Sequence, residues 1–278
     1  YMIELFNTIL VFPLVNVLIA IYKLLQILNI PFPLGFSIIG LTILIRFVLY
    51  PLTASQLKAS KKMQEIAPHV SRLKDKHKND AKTLQQETMK LYKEFGVNPA
   101  AGCLPVLVQI PVIWGLYSVL DRVVKLGSGN AIGEINKMIY FDFLKISGSW
   151  STDFFGISLG AKPSDLIKVM PLIILVPVLT GVFQFIQSKM MVPQKKQEAK
   201  NDKKNLPAVK EEKKKDDFAT VFQSQSLFIF PIMIGFFSYG FPIGLSLYWN
   251  TFSIFGIIQQ HRVSGWGGLK DLWEKKKK

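Results

Sequence analysis

Three histidines, His69, His77 and His261, and one cysteine, Cys103, are the residues most able to hold a metal or act as nucleophiles. The histidines lie in or beside charged stretches with no metal-ligand spacing, and a lone cysteine forms neither an intrachain disulfide nor a cysteine zinc site. No GxGxxG, Walker, HExxH or GxSxG pattern occurs, so the residues predict no enzyme, no metal and no cofactor. The chemical question is posed by Arg46, set inside the apolar run Phe36 to Gln56. About ten residues from either end, it stands roughly 15 Å from each surface of a bilayer. Its guanidinium cannot be neutralised by deprotonation, and hydrocarbon around it costs from ~3 to over ~10 kcal/mol. No Asp or Glu lies inside another apolar run, since Asp121 and Asp165 stand at span ends. The runs carry neutral polar groups instead: Thr42, Thr53, Gln109, Gln184, Gln187, Asn250, Thr251 and Ser253. Singly, each reads as a helix–helix hydrogen bond. Together with an unpaired arginine they predict a water-filled concavity whose fixed positive charge attracts a visiting carboxylate. Pro51 offers no N–H to the Phe47 carbonyl and is expected to loosen the helix just below Arg46.

The elements that must position these groups follow from composition. The 278 residues are 49% hydrophobic and 19% charged yet carry a formal net charge of +15, so charge and apolarity sit in separate blocks. With a mean hydropathy of +0.27 the chain reads as a membrane protein. A spanning helix needs roughly 20 apolar residues, and five runs qualify: Phe36 to Gln56, Gly102 to Leu120, Leu166 to Ser188, Phe222 to Tyr239 and Pro242 to Gln260. The organisation expected is 1–35, an extracytoplasmic interfacial helix and turn; 36–56, first span; 57–97, a cytoplasmic helical hairpin; 98–122, second span; 123–164, an extracytoplasmic loop; 165–190, third span; 191–221, a charged cytoplasmic loop; 222–239 and 242–260, fourth and fifth spans forming a tight hairpin; and 261–278, a basic tail. The start at Tyr1 rather than Met leads us to expect an upstream targeting segment that has been removed.

Segments 58–95, 189–222 and 261–278 are net +5, +4 and +4, which puts nearly all the excess charge on one face of a five-span chain. Because basic loops stay cytoplasmic, the C-terminus is expected inside. Residues 3–28 are apolar enough to span, but Glu4, Asn7, Thr8, Asn16, Lys23 and Gln26 fall on one half of a helical wheel, which favours a helix lying in the interface. In 58–95, Ala59, Met63, Ile66, Val70 and Leu73, then Leu84, Thr88, Leu91 and Phe95, repeat at steps of four and three on either side of a polar turn. Pro68 is expected to kink or delay the first of these helices. Lys58, Lys61, Lys62, Arg72 and Lys74 form either a solvated face or a recruitment surface for cytosolic partners or headgroups. Residues 194–217 read as a disordered linker.

Two stretches go beyond general physics. Asn98 to Leu120, NPAAGCLPVLVQIPVIWGLYSVL, resembles the second core span of the YidC/Oxa family of membrane protein insertases, and Phe241 to Gln260, FPIGLSLYWNTFSIFGIIQQ, is similar to its last. The first span, TILIRFVLYPLTASQLKASKKMQEIAP, carries the same likeness, which covers essentially the whole chain in order. The resemblance implies an all-α polytopic fold with five transmembrane helices, a cytoplasmic hairpin, and residues 3–28 outside the membrane as an interfacial helix. It also implies a groove open to the cytoplasm and the lipid, closed outside, with Arg46 as the groove arginine. Trp249, in the LYW element, and Gln184 or Gln187 are implied as groove-lining matches, beside Thr42, Gln109 and Asn250. The family's large extracytoplasmic domain is missing, so the chain looks like the short, Gram-positive form of a bacterial plasma-membrane protein.

The mechanism implied is insertion of newly made membrane proteins without a nucleotide. The groove takes in a polar, acidic N-terminal segment. The membrane potential favours outward movement of each carboxylate by about 2.3 kcal/mol per 100 mV, and burial of the client's apolar helix completes the step. Partners would be nascent membrane proteins and the bilayer, with a ribosome and the Sec translocon as further expectations. The alternative readings are a transporter or channel for a small anionic solute and a chaperone that holds inserted helices. The Lys275–Lys278 tail suits either ribosomal RNA or lipid headgroups.

Overall fold

The computed structural model describes residues 2–77, 80–96, 110–118, 130–147, 151–192 and 218–270. The chain opens with α1 (Met2–Phe6), a π turn (Asn7–Val11) and α2 (Phe12–Ile27), continues through α3 (Pro33–Val48), α4 (Tyr50–Lys76) and α5 (Ala81–Glu94), and resumes in α6 over 110–118. There follow α7 (Asn130–Asn136), a two-stranded hairpin of β1 (Asp153–Phe154) and β2 (Ile157–Ser158), α8 (Pro163–Leu166), α9 (Leu175–Met190), α10 (Phe218–Gly240) and α11 (Ile243–Ser264). The strands pair antiparallel, Asp153 with Ser158 and Phe154 with Ile157.

By length and apolarity, Glu4–Ile27 and Pro171–Met190 suit a membrane crossing, and Pro33–Val48 with Tyr50–Ala59 forms a third, bent by 62°. The first span predicted over 36–56 is therefore not one straight helix. It breaks at Leu49, one residue before α4, whose first turn holds Pro51. The break fits the missing Pro51 N–H, and it moves Arg46 from the middle of a straight rod to the last turn of α3. α4 then runs through Pro68 without the delay expected there. The third apolar run is interrupted: α8 ends at Leu166 and the helix resumes at Pro171, since Met170, the residue before a proline, is held out of the helical region at φ −131° and ψ 84°. α11 persists to Ser264, four residues past the predicted end. Its Asn250, Thr251, Ser253, Gln259 and Gln260 leave it less apolar than a typical span.

The fourth and fifth runs are not a side-by-side hairpin. α9 lies against both, packing along α10 and along α11, while α10 and α11 meet little beyond their shared turn. At that turn Ser238 of α10 and Ser246 of α11 share a hydrogen bond of 2.7 Å, and Ser238 reaches Thr180 of α9 at 3.3 Å. Gly181 and Gly235 let the α9 and α10 backbones touch: a methyl built on Gly235 would stand 3.3 Å from the Pro177 carbonyl oxygen. These contacts make α9 and α10 antiparallel, with α9 and α11 running the same way.

α11 runs in the same direction as the α3–α4 stretch of chain, as the pairs Arg46–Phe252, on α3, and Thr53–Gln259, on α4, keep one offset of 206. The first two N–H groups of α11 are satisfied from outside the helix, Ile243 donating to the Ala161 carbonyl and Gly244 to that of Leu159. At the other end, residues 265–269 fold back so that the Gly268 N–H meets the Val192 carbonyl just beyond α9.

The core is formed by Val11, Val15, Leu18, Ile19 and Tyr22 of the first helix, Leu34, Ile38 and Leu41 of α3, and Leu245, Tyr248 and Trp249 of α11. Asn16 does not face water: it donates to the Phe12 and Met138 carbonyls and accepts from the Tyr140 N–H. Lys23 donates to the Phe143 and Lys145 carbonyls, and Tyr140 reaches the Thr8 carbonyl. The polar stripe thus grips the segment 138–145, taking up carbonyls of Met138, Phe143 and Lys145 and the Tyr140 N–H.

Candidate functional site

Arg46 is the centre of the site. Its neighbours on α3, Phe47 and Val48, are exposed at 61% and 69%, whereas Arg46 turns inward and is 4% exposed. Its Nη2 donates to the Phe252 carbonyl at 2.5 Å, and its guanidinium carbon stands 3.4 Å from the centroid of the Phe252 ring. One residue of α11 thus supplies both an acceptor and an aromatic face. The Nε of Arg46 is buried without a partner, and among the described residues no carboxylate pairs with it. Where the sequence reading relies on hydration to hold the cation, this geometry holds it with a carbonyl and a ring.

The approach is made possible by Gly256. A methyl built there would lie 2.6 Å from Arg46 Nη2 and 2.6 Å from Gln187 Nε2, so the glycine leaves the space in which α3, α9 and α11 converge. One and two turns further on, Thr53 accepts from Gln259 Nε2 at 2.6 Å. Gln259 Oε1 and Gln56 Nε2 are buried with no partner, at 2% and 7% exposure of their residues. From Arg46 along the α4–α11 seam, the Arg46 Nε and one polar atom on each of Gln56 and Gln259 thus keep hydrogen-bonding capacity unspent, while the Thr53 hydroxyl is fully engaged.

The predicted residues divide. Gln187 is brought beside Arg46. Thr42, fully buried one turn earlier on α3, gives its hydroxyl to the Ile38 carbonyl at 2.6 Å, a bond within its own helix. Gln184 is half-buried and makes no side-chain hydrogen bond to Arg46. Trp249 packs in the apolar core. Asn250 lies about 200° around α11 from Phe252 at 100° per residue, and its Oδ1 is buried and unpaired. Gln109 lies outside the described residues, as do Cys103, 193–217 and 271–278. Lys58, Lys61, Lys62 and Arg72 are exposed along α4, and Lys74 is half-buried.

Sequence reasoning missed Phe252, Gly256, Gln56 and Gln259. The signal available was a glycine in an apolar helix, which marks a close approach, followed by Gln259 and Gln260 where the apolar run ends.

The comparisons with known proteins bear on the whole chain. Residues 15–266 match the family model described as 60Kd inner membrane protein. The chain is 35% identical over 235 residues to the membrane protein insertase MisCA of Bacillus subtilis, covering 83% of this chain and 70% of that one. It is 33% identical over 229 residues to the membrane protein insertase YidC of Fusobacterium nucleatum, covering 82% and 85%, and 31% identical over 256 residues to the inner membrane protein ALBINO3 of Arabidopsis thaliana chloroplasts, covering 88% and 50%. A crystal structure of an active YidC insertase with its first transmembrane domain resolved shares the fold at a TM-score of 0.52 and 24% identity, covering 87% of this chain and 44% of that one. With these relatives and an apolar helical architecture around one inward-turned arginine, the chain belongs to the YidC/Oxa family of membrane protein insertases, which are not enzymes.

Proposed function

We propose that this chain inserts newly made membrane proteins, and that Arg46 receives the carboxylates of a client's polar N-terminal segment in a groove open to the cytoplasm and the lipid. The observation that carries this is a buried guanidinium with an unmade Nε donor and no carboxylate partner among the described residues, with Gln187 beside it and Thr53, Gln56 and Gln259 further along the seam. A cation so placed has more to gain from an arriving anion than from any neighbour it has. The groove shortens the low-dielectric path. Once the client's apolar helix is in lipid, at roughly 25 cal/mol per Å², its carboxylate is pulled outward by the membrane potential. No cofactor enters the step.

Five spans with the C-terminus inside is the topology we read from the apolar runs and the basic loops, and the alternation of α9, α10 and α11 is in keeping with it. The end of α9, the fold-back at Gly268 and the Thr53–Gln259 pair lie together at one end of the bundle, from which the basic segments leave. The α4–α5 pair is a cytoplasmic hairpin closed by Asp80, with His69 and Phe95 in ring contact at 5.7 Å. Its exposed Lys58, Lys61, Lys62 and Arg72 are suited to anionic headgroups, a ribosome or the Sec translocon.

The first helix lies in the outer interface and does not cross. Its Thr8, Asn16 and Lys23 hold the irregular segment 138–145 along about 22 Å of helix at 1.5 Å per residue. Were the helix spanning, that segment would place irregular backbone and the exposed Asp142–Lys145 ion pair in hydrocarbon, which bilayers do not tolerate.

Purified chain in vesicles tests the reading with two clients that differ only by Asp→Asn in the N-terminal segment. Arg46→Ala is expected to slow the Asp client more than the Asn client; equal slowing of both removes the electrostatic step. Anion flux in the same vesicles, abolished by Arg46→Ala, would favour a solute carrier instead.

A further inference from the structure

We propose that Phe252 and Gly256 form a latch that keeps Arg46 shut between clients, and that a client's carboxylate must displace it. The inference rests on the reading of Arg46 as the carboxylate's partner. Phe252 occupies the guanidinium twice, with its ring over one face and its main-chain oxygen on Nη2. That oxygen belongs to the interior of α11 (Ile243–Ser264), where it also faces the Gly256 N–H one turn on. A side chain at 256 would close off the approach, since a methyl there would stand 2.6 Å from Nη2. The latch is thus a property of two α11 residues, a ring at 252 and the lack of one carbon at 256.

The contact is incomplete in a way that suits release. The buried Nε has no partner, so the closed guanidinium leaves a strong donor idle in a protein interior. A carboxylate arriving at the Nε–Nη2 edge makes two parallel charge-assisted bonds where the latch makes one. A neutral amide or hydroxyl brings no charge and does not repeat that gain. The cost of opening falls on every client equally, because apparent affinity is the intrinsic affinity multiplied by the open fraction. Phe252 therefore sets how tightly any acidic segment is held, while Arg46 sets the preference for acid over amide. Removing the ring is expected to tighten capture by roughly three- to thirtyfold, the range of a cation–π contact from exposed to desolvated.

The test uses the full chain in lipid vesicles with two readouts. Phenylglyoxal, which modifies guanidinium groups, is followed by mass spectrometry at Arg46 with exposed Arg72 as the internal standard. Half-saturation of crosslinking is measured with a short peptide bearing two Asp residues and with its Asn counterpart. In the native chain Arg46 is expected to react far more slowly than Arg72. Phe252→Leu and Gly256→Ala, which open the latch by different means, should both accelerate modification of Arg46 and lower the Asp-peptide half-saturation. Phe252→Tyr, which keeps the ring, should stay near the native values.

The latch is overturned if native Arg46 reacts as fast as Arg72, or if Phe252→Leu and Gly256→Ala leave both readouts at native values. A failure of the underlying reading looks different. If Arg46→Ala captures the Asp peptide as the native chain does, Arg46 is not the carboxylate's partner, whatever the phenylglyoxal rates.

Discussion

Arg46 and Phe252, 206 residues apart in the chain, meet through the Arg46 Nη2 and the Phe252 main-chain oxygen at 2.5 Å, beneath the Phe252 ring. The pair joins α3 to α11 and fixes where this inward-facing charge sits. It also shows how a cation is tolerated at a helix–helix seam without an acid: an aromatic quadrupole and a carbonyl dipole share the stabilisation.

Charge and shape at position 46 are separable. Arg46→Lys keeps the charge but loses the planar fork and the face that stacks on Phe252. Insertion of the acidic client is expected to fall by roughly three- to tenfold, between the native chain and Arg46→Ala. An initial-rate assay in vesicles measures this. A lysine variant as slow as the alanine variant would mean that the fork matters and the charge alone does not.

Asn16 ties the segment 138–145 to α2 with two hydrogen bonds, one to the Met138 carbonyl and one from the Tyr140 N–H. Asn16→Leu leaves the Met138 carbonyl and the Tyr140 N–H without that partner, at an expected cost of about 1–3 kcal/mol. Thermal unfolding in detergent should report the loss, and proteolysis should cut first between 137 and 147.

The α9–α10 crossing depends on absent side chains. Gly235→Val forces atoms toward the Pro177 carbonyl and the Gly181 backbone, with an expected destabilisation of about 1–3 kcal/mol from overpacking. Gly235→Ala, one methyl at 3.3 Å, should cost less. The ordering of the two variants in a thermal melt checks the claim, and a valine variant as stable as the native chain would refute it.

At the α4–α5 turn, Asp80 accepts from the Thr83 N–H at 3.0 Å and from its hydroxyl at 2.5 Å. These bonds hold the Asp80 carboxyl below its usual pKa. Because the folded value is depressed, the cap is fully effective above the unfolded value of about 3.9 and is lost as pH falls through the folded one. The Thr83 amide chemical shift in micelles should move below pH about 4 in the native chain and stay flat in Asp80→Asn. Asp80→Ala should fray the first turn of α5 at every pH.

Some of this was legible before any coordinates. The apolar runs, the lone intraspan arginine and the clustering of lysines are properties of composition and period, and a charge in an apolar run raises its question wherever the chain goes. Pro51 announced a weakness in the helix because a missing N–H is a local fact. The wheel of residues 3–28 set the polar groups on one half of the helix but could not say what they meet. Asn16 and Lys23 bind a loop more than a hundred residues away. Trp249 and Thr42 sit on residue types that suit a groove, yet one packs in the core and the other bonds its own helix.

The sequence alone determined the membrane class, the number of apolar runs, and that one guanidinium among them lacks an internal acid, because those follow from which residues are present and how they are spaced. Only the tertiary structure decided what holds that guanidinium. Phe252 and Gly256 count as ordinary apolar helix residues until α3 and α11 are brought together at one register, and only then does a ring become a lid and an absent methyl become a binding space.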